Sequence, residues 1–234
     1  MTYLTNVVDC TKLPIAVYVF FILFCLSSIL EVLFAYFEKE GVRRAVKPFC
    51  VLMLVIMAII YQPTAWLIYL GAFFGLMGDI FLIWKKKKKM LALGMFFFML
   101  GHLAYIVEIV LILQPSIGWP YYVAGAFLVV LFNLFFYGIT KRVVKDGKMA
   151  TASNLYLSAL GMVAIASLVA CFLGYFSYMF LTFLGGLDFI ASDSILAYTI
   201  YAHDVKRRDF FIMSLYLLGQ GLIVVGLLLT VAAL

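Results

Sequence analysis

The chain has 234 residues, 67% of them hydrophobic and 12% charged, with a formal net charge of +6. A soluble domain is about half apolar and about a quarter charged, and a single core cannot hide this much apolar surface. The composition excludes an ordinary globular fold and calls for a bilayer.

Apolar stretches of about 20 residues, the length that crosses a hydrocarbon layer of about 30 Å, alternate with short polar breaks. The first is expected over 14–37. No basic segment or small-residue cleavage site precedes it, so it reads as a retained span. A short second span over 46–61 meets a turn marked by Pro63, and the third runs over 64–84. The fourth and fifth cover 90–113 and 120–140. The sixth and seventh, 150–173 and 175–201, are divided only by the Gly174 region, and the eighth covers 210–233. The predicted fold is all-α, a polytopic membrane helix bundle of about eight transmembrane helices forming one integral membrane domain over 1–234.

The basic residues follow every second span. Lys39, Arg43, Arg44 and Lys47 come after the first, Lys85 to Lys89 after the third, Lys141, Arg142, Lys145 and Lys148 after the fifth, and Lys206 to Arg208 after the seventh. The connections near Gln62, Gln114 to Trp119 and Gly174 have no Lys or Arg, and only Lys12 departs from the pattern. Segregation of this kind follows the positive-inside rule; it assigns the odd-numbered loops to the cytoplasm and both termini to the non-cytoplasmic side. The Lys85 to Lys89 run reads as a topological anchor rather than a phosphoinositide site. Cys10, Cys25, Cys50 and Cys171 form no CxxC pair and read as small buried hydrophobes.

Ionisable groups inside a bilayer are costly and mark functional sites by default. Glu31, Asp79, His102, Glu108, Asp188 and Asp193 all fall within the predicted spans. Helical rise puts Asp79 about 9 Å from Lys85, Asp193 about 15 Å from His203, His102 about 20 Å from Lys89 and Gln220 about 15 Å from Phe210. Four helices thus carry polar groups into the same half of the membrane. Tyr105 shares a face with His102, and Tyr216 shares one with Gln220. A convergent pocket is expected; the bland alternative is polar glue between helices. Glu31 and Asp188 read as partners of other buried polar groups, Glu108 as reaching the interface, and His203 as a solvated loop residue.

Lys47-Pro48, Gly78-Asp79, Gly101-His102 with Tyr105, Phe189 with Ser192-Asp193, and Tyr216 with Gln220 occur in this order. Together they resemble the YhhN-like lysoplasmalogenase family of multi-span membrane proteins, over roughly Lys47 to Gln220. Leu76, Gly219 and the extra acid Asp188 depart from its pattern. The resemblance implies hydrolysis of the vinyl-ether bond of lysoplasmalogen, giving a fatty aldehyde and glycerophosphoethanolamine or glycerophosphocholine. It also implies an endoplasmic reticulum membrane in a eukaryote or the inner membrane in a bacterium.

A vinyl ether cleaves when its β-carbon is protonated; water then adds to the cation and the hemiacetal collapses. Such chemistry asks for a carboxylic acid and a nearby anion, as in glycosidases. Burial and a second carboxylate both favour a retained proton. Asp79 and Asp193 are the expected acid and base, each indispensable, with His102 orienting one of them or the water. Lys47, Tyr105, Ser192, Tyr216 and Gln220 are the expected substrate-binding residues, with Lys47 either meeting the lipid phosphate or serving as one more basic anchor. No cofactor or metal is expected: no phosphate-binding Gly-rich loop or GxSxG elbow occurs, and two histidines at different depths suit a catalytic zinc poorly. A metal-dependent lipid amidase of the alkaline ceramidase kind and a proton-coupled transporter are the alternatives. The lysophospholipid and the membrane are the expected partners; no nucleic acid is.

Overall fold

The computed structural model describes residues 13–84, 87–114, 118–145 and 147–234. Cys10, Lys12, Lys85, Lys86, part of the connection after Gln114 and the side chain of Lys148 lie outside the described residues. The described residues form eight α-helices: α1 (Ile15–Tyr36), α2 (Glu40–Tyr61), α3 (Trp66–Leu82), α4 (Lys88–Leu113), α5 (Trp119–Val143), α6 (Gly147–Ala170), α7 (Phe176–Tyr201) and α8 (Arg208–Ala232). Seven are long and apolar enough to cross a membrane. The remaining one, α3, has 17 residues, about 26 Å at the helical rise and the lower limit for a span. This is the polytopic helix bundle the hydropathy predicts.

Short connections pack most sequence neighbours against one another, α4 packs on α6 rather than on α5, and α8 closes the arrangement by touching α1, α2, α3 and α7. Its buried residues run from Ile212 to Thr230. Close approach of α7 and α8 depends on missing side chains: a Cβ on Gly185 would lie 2.6 Å from the Gly219 carbonyl oxygen, and one on Gly219 would lie 2.8 Å from that of Gly185. Small residues play this part where lipid supplies no hydrophobic drive between helices. At the other extreme, α5 is almost wholly exposed, with Phe127, Leu134 and Phe135 turned outward as a bilayer requires. It is tied to α6 by Asn133, whose amide donates to Ser158 Oγ and whose Oδ1 accepts from Asn154 Nδ2 at 3.0 Å.

One boundary agrees with the hydropathy expectation and one differs. The break between α6 and α7 is a single π-turn, Cys171–Tyr175, reversed at Gly174 with φ of 101°. The second helix starts at Glu40, not at residue 46, and contains Pro48. Its first two turns carry Glu40, Arg43, Arg44 and Lys47 at spacings that share one face. Hydropathy rejects such a segment, yet partners on neighbouring helices neutralise it, as the next section describes.

Candidate functional site

The charged face of α2 points into a chamber of ≈340 Å³ at one end of the bundle. Its wall takes Glu31 from α1, Arg43 and Lys47 from α2, Ile83 and Lys87 from the α3–α4 connection, Asp193 from α7, and Arg208 and Tyr216 from α8. Three of the four basic segments therefore meet at one mouth.

Lys47 and Asp79 form the centre of the polar network. The Lys47 ammonium lies 3.0 Å from Asp79 Oδ1, with Asp79 fully buried and Lys47 17% exposed. Tyr216 donates its hydroxyl to Asp79 Oδ2 at 2.7 Å, and the Lys47 ammonium stands 5.3 Å from the Tyr216 ring centroid. Two neighbouring helices, α2 and α8, thus satisfy one buried carboxylate on α3, and Lys47 is a structural partner as much as a surface cation. Asp79 does not reach the chamber wall; Lys47 and Tyr216 stand between them.

Asp193 does line the chamber. Its Oδ2 accepts a hydrogen bond from the Tyr156 hydroxyl on α6, and it lies within electrostatic reach of both Lys47 and Asp79. Asp193 stands at the cavity wall and Asp79 behind it, with the Lys47 ammonium paired to Asp79 and within electrostatic reach of Asp193. Tyr156 is a site residue the sequence reading omits. Taken alone, a tyrosine within an apolar helix reads as a packing residue. The telling signal is its polar neighbourhood, Ser153, Asn154 and Ser158, all buried.

The other expected residues divide. Gln220 donates Nε2 to the Tyr105 hydroxyl at 2.9 Å, a buried α8–α4 link, and neither residue lines the chamber. Ser192 lines it, but its hydroxyl donates to the Ile212 carbonyl at 3.0 Å and so clamps α7 to α8. His102 lies behind the aromatic wall: its ring is 4.4 Å from that of Phe189, which packs edge-on against Phe98 and Tyr216. His102 Nδ1 is 2.9 Å from the Phe98 carbonyl, and because a carbonyl only accepts, Nδ1 carries the hydrogen. Nε2 is buried without a partner, and nothing in the structure carries it to either aspartate.

Glu31 has a polar partner, as expected: Arg43 Nε donates to its Oε1 at 2.9 Å, while Arg43 Nη1 donates to Asp209 Oδ2 at 2.7 Å. Glu108 is buried on α4. Asp188 is half-exposed and makes no hydrogen bond or ion pair among the described residues, contrary to the pairing expected of it. His203 is exposed in the α7–α8 connection. Cys25, Cys50 and Cys171 are free thiols. Among the described residues, no three His, Cys, Asp or Glu side chains are grouped to hold a metal ion.

A bundle of apolar helices enclosing a charged chamber, with carboxylates buried at its base, defines a polytopic membrane protein with an intramembrane polar site. The chain belongs to the YhhN family, whose profile matches residues 42–227, from the start of α2 to near the end of α8. Comparisons with curated proteins and with solved structures return no match.

Proposed function

We propose that this protein is a lysoplasmalogenase, an ether hydrolase that cleaves the vinyl-ether bond of a lysophospholipid within the membrane. The observation that carries this reading is a cavity-facing carboxyl, Asp193, backed by a second buried carboxylate held by Lys47 and Tyr216. Family membership supports it at the coarser level of a possible hydrolase.

Asp193, as the acid, gives its proton to the vinyl β-carbon, and the positive charge develops on the carbon bound to the ether oxygen. The carboxylate so formed faces that cation. It then takes a proton from the attacking water as the C–O bond of the hemiacetal forms. Collapse of the hemiacetal moves one proton from its hydroxyl to the departing glycerol oxygen, giving aldehyde and glycerophospholipid head group. Each proton that leaves Asp193 returns to it, so one carboxyl serves as acid and base in turn. Tyr156 orients it. Asp79 is a positioning residue, fixing Lys47 and the Tyr216 hydroxyl at the chamber wall. His102 supports Phe98 and Phe189 in that wall, and Tyr105 with Gln220 braces α4 against α8.

Lys47 is engaged by Asp79, which leaves the lipid phosphate to other cations. Arg44 and Lys87 line the chamber and have no ion-pair partner among the described residues. They are suited to a phosphate, with Arg44 able to engage it through two N–H groups. The basic mouth faces the cytoplasm by the positive-inside rule.

The test offers purified protein a vinyl-ether lysophospholipid, its saturated-ether analogue and its ester analogue. Aldehyde from the first and no turnover of the other two is the expected result. Asp193→Asn should abolish aldehyde release and Asp79→Asn should lower it strongly, with both proteins folded in detergent. Wild-type turnover by Asp193→Asn, or equal turnover of the ester, overturns the proposal.

A further inference from the structure

Asp193 lies at the junction of two cavities, one bearing charged side chains and one without them apart from Asp193 itself. Beside the charged chamber is a second, almost wholly apolar crevice of ≈40 Å³ between α4, α6 and α7. The two share Leu82, Phe98, Asp193 and Leu196 as a common wall. Beyond that wall the crevice continues along Leu91 and Met95 of α4, Leu157 of α6, and Ala197 and Ile200 of α7. Ile200 is 40% exposed, so the crevice ends at the outer surface of the bundle, where an apolar side chain meets lipid.

We infer that this crevice holds the hydrocarbon chain of a single-chain amphiphile, so that the head group enters the charged chamber while the first carbons of the chain pass between α4, α6 and α7 to the bilayer. The inference rests on the hydrolase reading above and adds to it an orientation and a source of selectivity. A polar chamber alone would admit any small phosphate ester. An apolar slot alone would admit any chain. Only a molecule with both parts fills both spaces, and its polar–apolar junction then lies against Asp193, where the bond to be broken must be. The narrow volume admits one chain segment and no second chain beside it. Most of the chain stays in the bilayer, where its length matters little.

The experiment uses the full-length protein in liposomes and a saturated-ether lysophospholipid bearing a diazirine on the third carbon of its chain, a probe without the reactive double bond. After irradiation, peptide mass spectrometry maps the adducts, and aldehyde release from the vinyl-ether lysolipid is measured in parallel. Adducts on Met95, Leu157 or Ile200 are expected, displaced by excess unlabelled lysolipid. Leu157→Trp, which fills the crevice, should lower them by about tenfold or more. Ala197→Phe is the second crevice-filling variant should the first not fold. Displaceable adducts elsewhere, or labelling spread over the lipid-facing α5, overturn the crevice. If aldehyde is still released in that case, the hydrolase reading stands without it. Crevice adducts without any aldehyde release keep the amphiphile site and dismiss the hydrolase.

Discussion

Lys47→Met tests whether Asp79 is held by an ion pair inside the membrane. At 3.0 Å the two charges attract by about 5–6 kcal/mol at an effective dielectric near 20, before the cost of desolvating them. Methionine has similar bulk but leaves a fully buried carboxylate with only the Tyr216 hydroxyl against it. Breaking a buried pair from one side costs about 3–5 kcal/mol, whereas replacing both members by neutral groups is often close to neutral. Lys47→Met should therefore lower the unfolding free energy in mixed micelles by about 3–5 kcal/mol. The double variant Lys47→Met, Asp79→Asn should recover most of that loss, a coupling that a double-mutant cycle reads directly. A single variant as stable as wild type, or a double variant no better than the single, would refute the reasoning. Such a result would mean that water or another group, not Lys47, carries the charge of Asp79.

Further outcomes follow from individual contacts. Tyr156→Phe removes the hydrogen bond to Asp193 and should lower aldehyde release by about 10–100-fold, the worth of a hydrogen bond to a charged group, with little change in thermal stability. An unchanged rate would remove Tyr156 from the site. Gly174→Ala puts a side chain at φ of 101° and should cost about 1–2 kcal/mol in thermal unfolding; an equally stable variant would contradict the turn. Gly219→Val forces α8 away from α7, because its Cβ alone would lie 2.8 Å from the Gly185 carbonyl oxygen. It should cost about 1–3 kcal/mol and lower activity through the Ser192–Ile212 clamp, whereas Gly125→Ala on the exposed α5, where a Cβ meets nothing, should do neither.

Much of the bundle is legible in the sequence because lipid imposes one simple demand, apolar runs of sufficient length. All eight helices sit where hydropathy puts them, and the kink at Gly174 coincides with the break read between 173 and 175. The start of α2 is the exception. Glu40, Arg43 and Arg44 look like loop residues because hydropathy scores each residue alone, and only the fold supplies Glu31 and Asp209 as partners of Arg43. The same blindness to partners explains the site. Depth along each helix marks out Asp79, Asp193, His102 and Gln220 against the apolar background, but it carries no information on rotation about the helix axis. His102 and Gln220 share that depth and still face away from the chamber, into contacts with Phe189 and Tyr105. Ser192 faces the chamber with its hydroxyl already committed to a carbonyl.

If Asp193 delivers a proton to carbon, the solvent isotope must appear on carbon. Turnover of a vinyl-ether lysolipid in heavy water, with the aldehyde trapped at once and weighed, should show a single deuterium at the carbon next to the carbonyl. Aldehyde formed without deuterium there would mean that the bond is cut by some route other than protonation of the alkene, and the role given to Asp193 would be wrong.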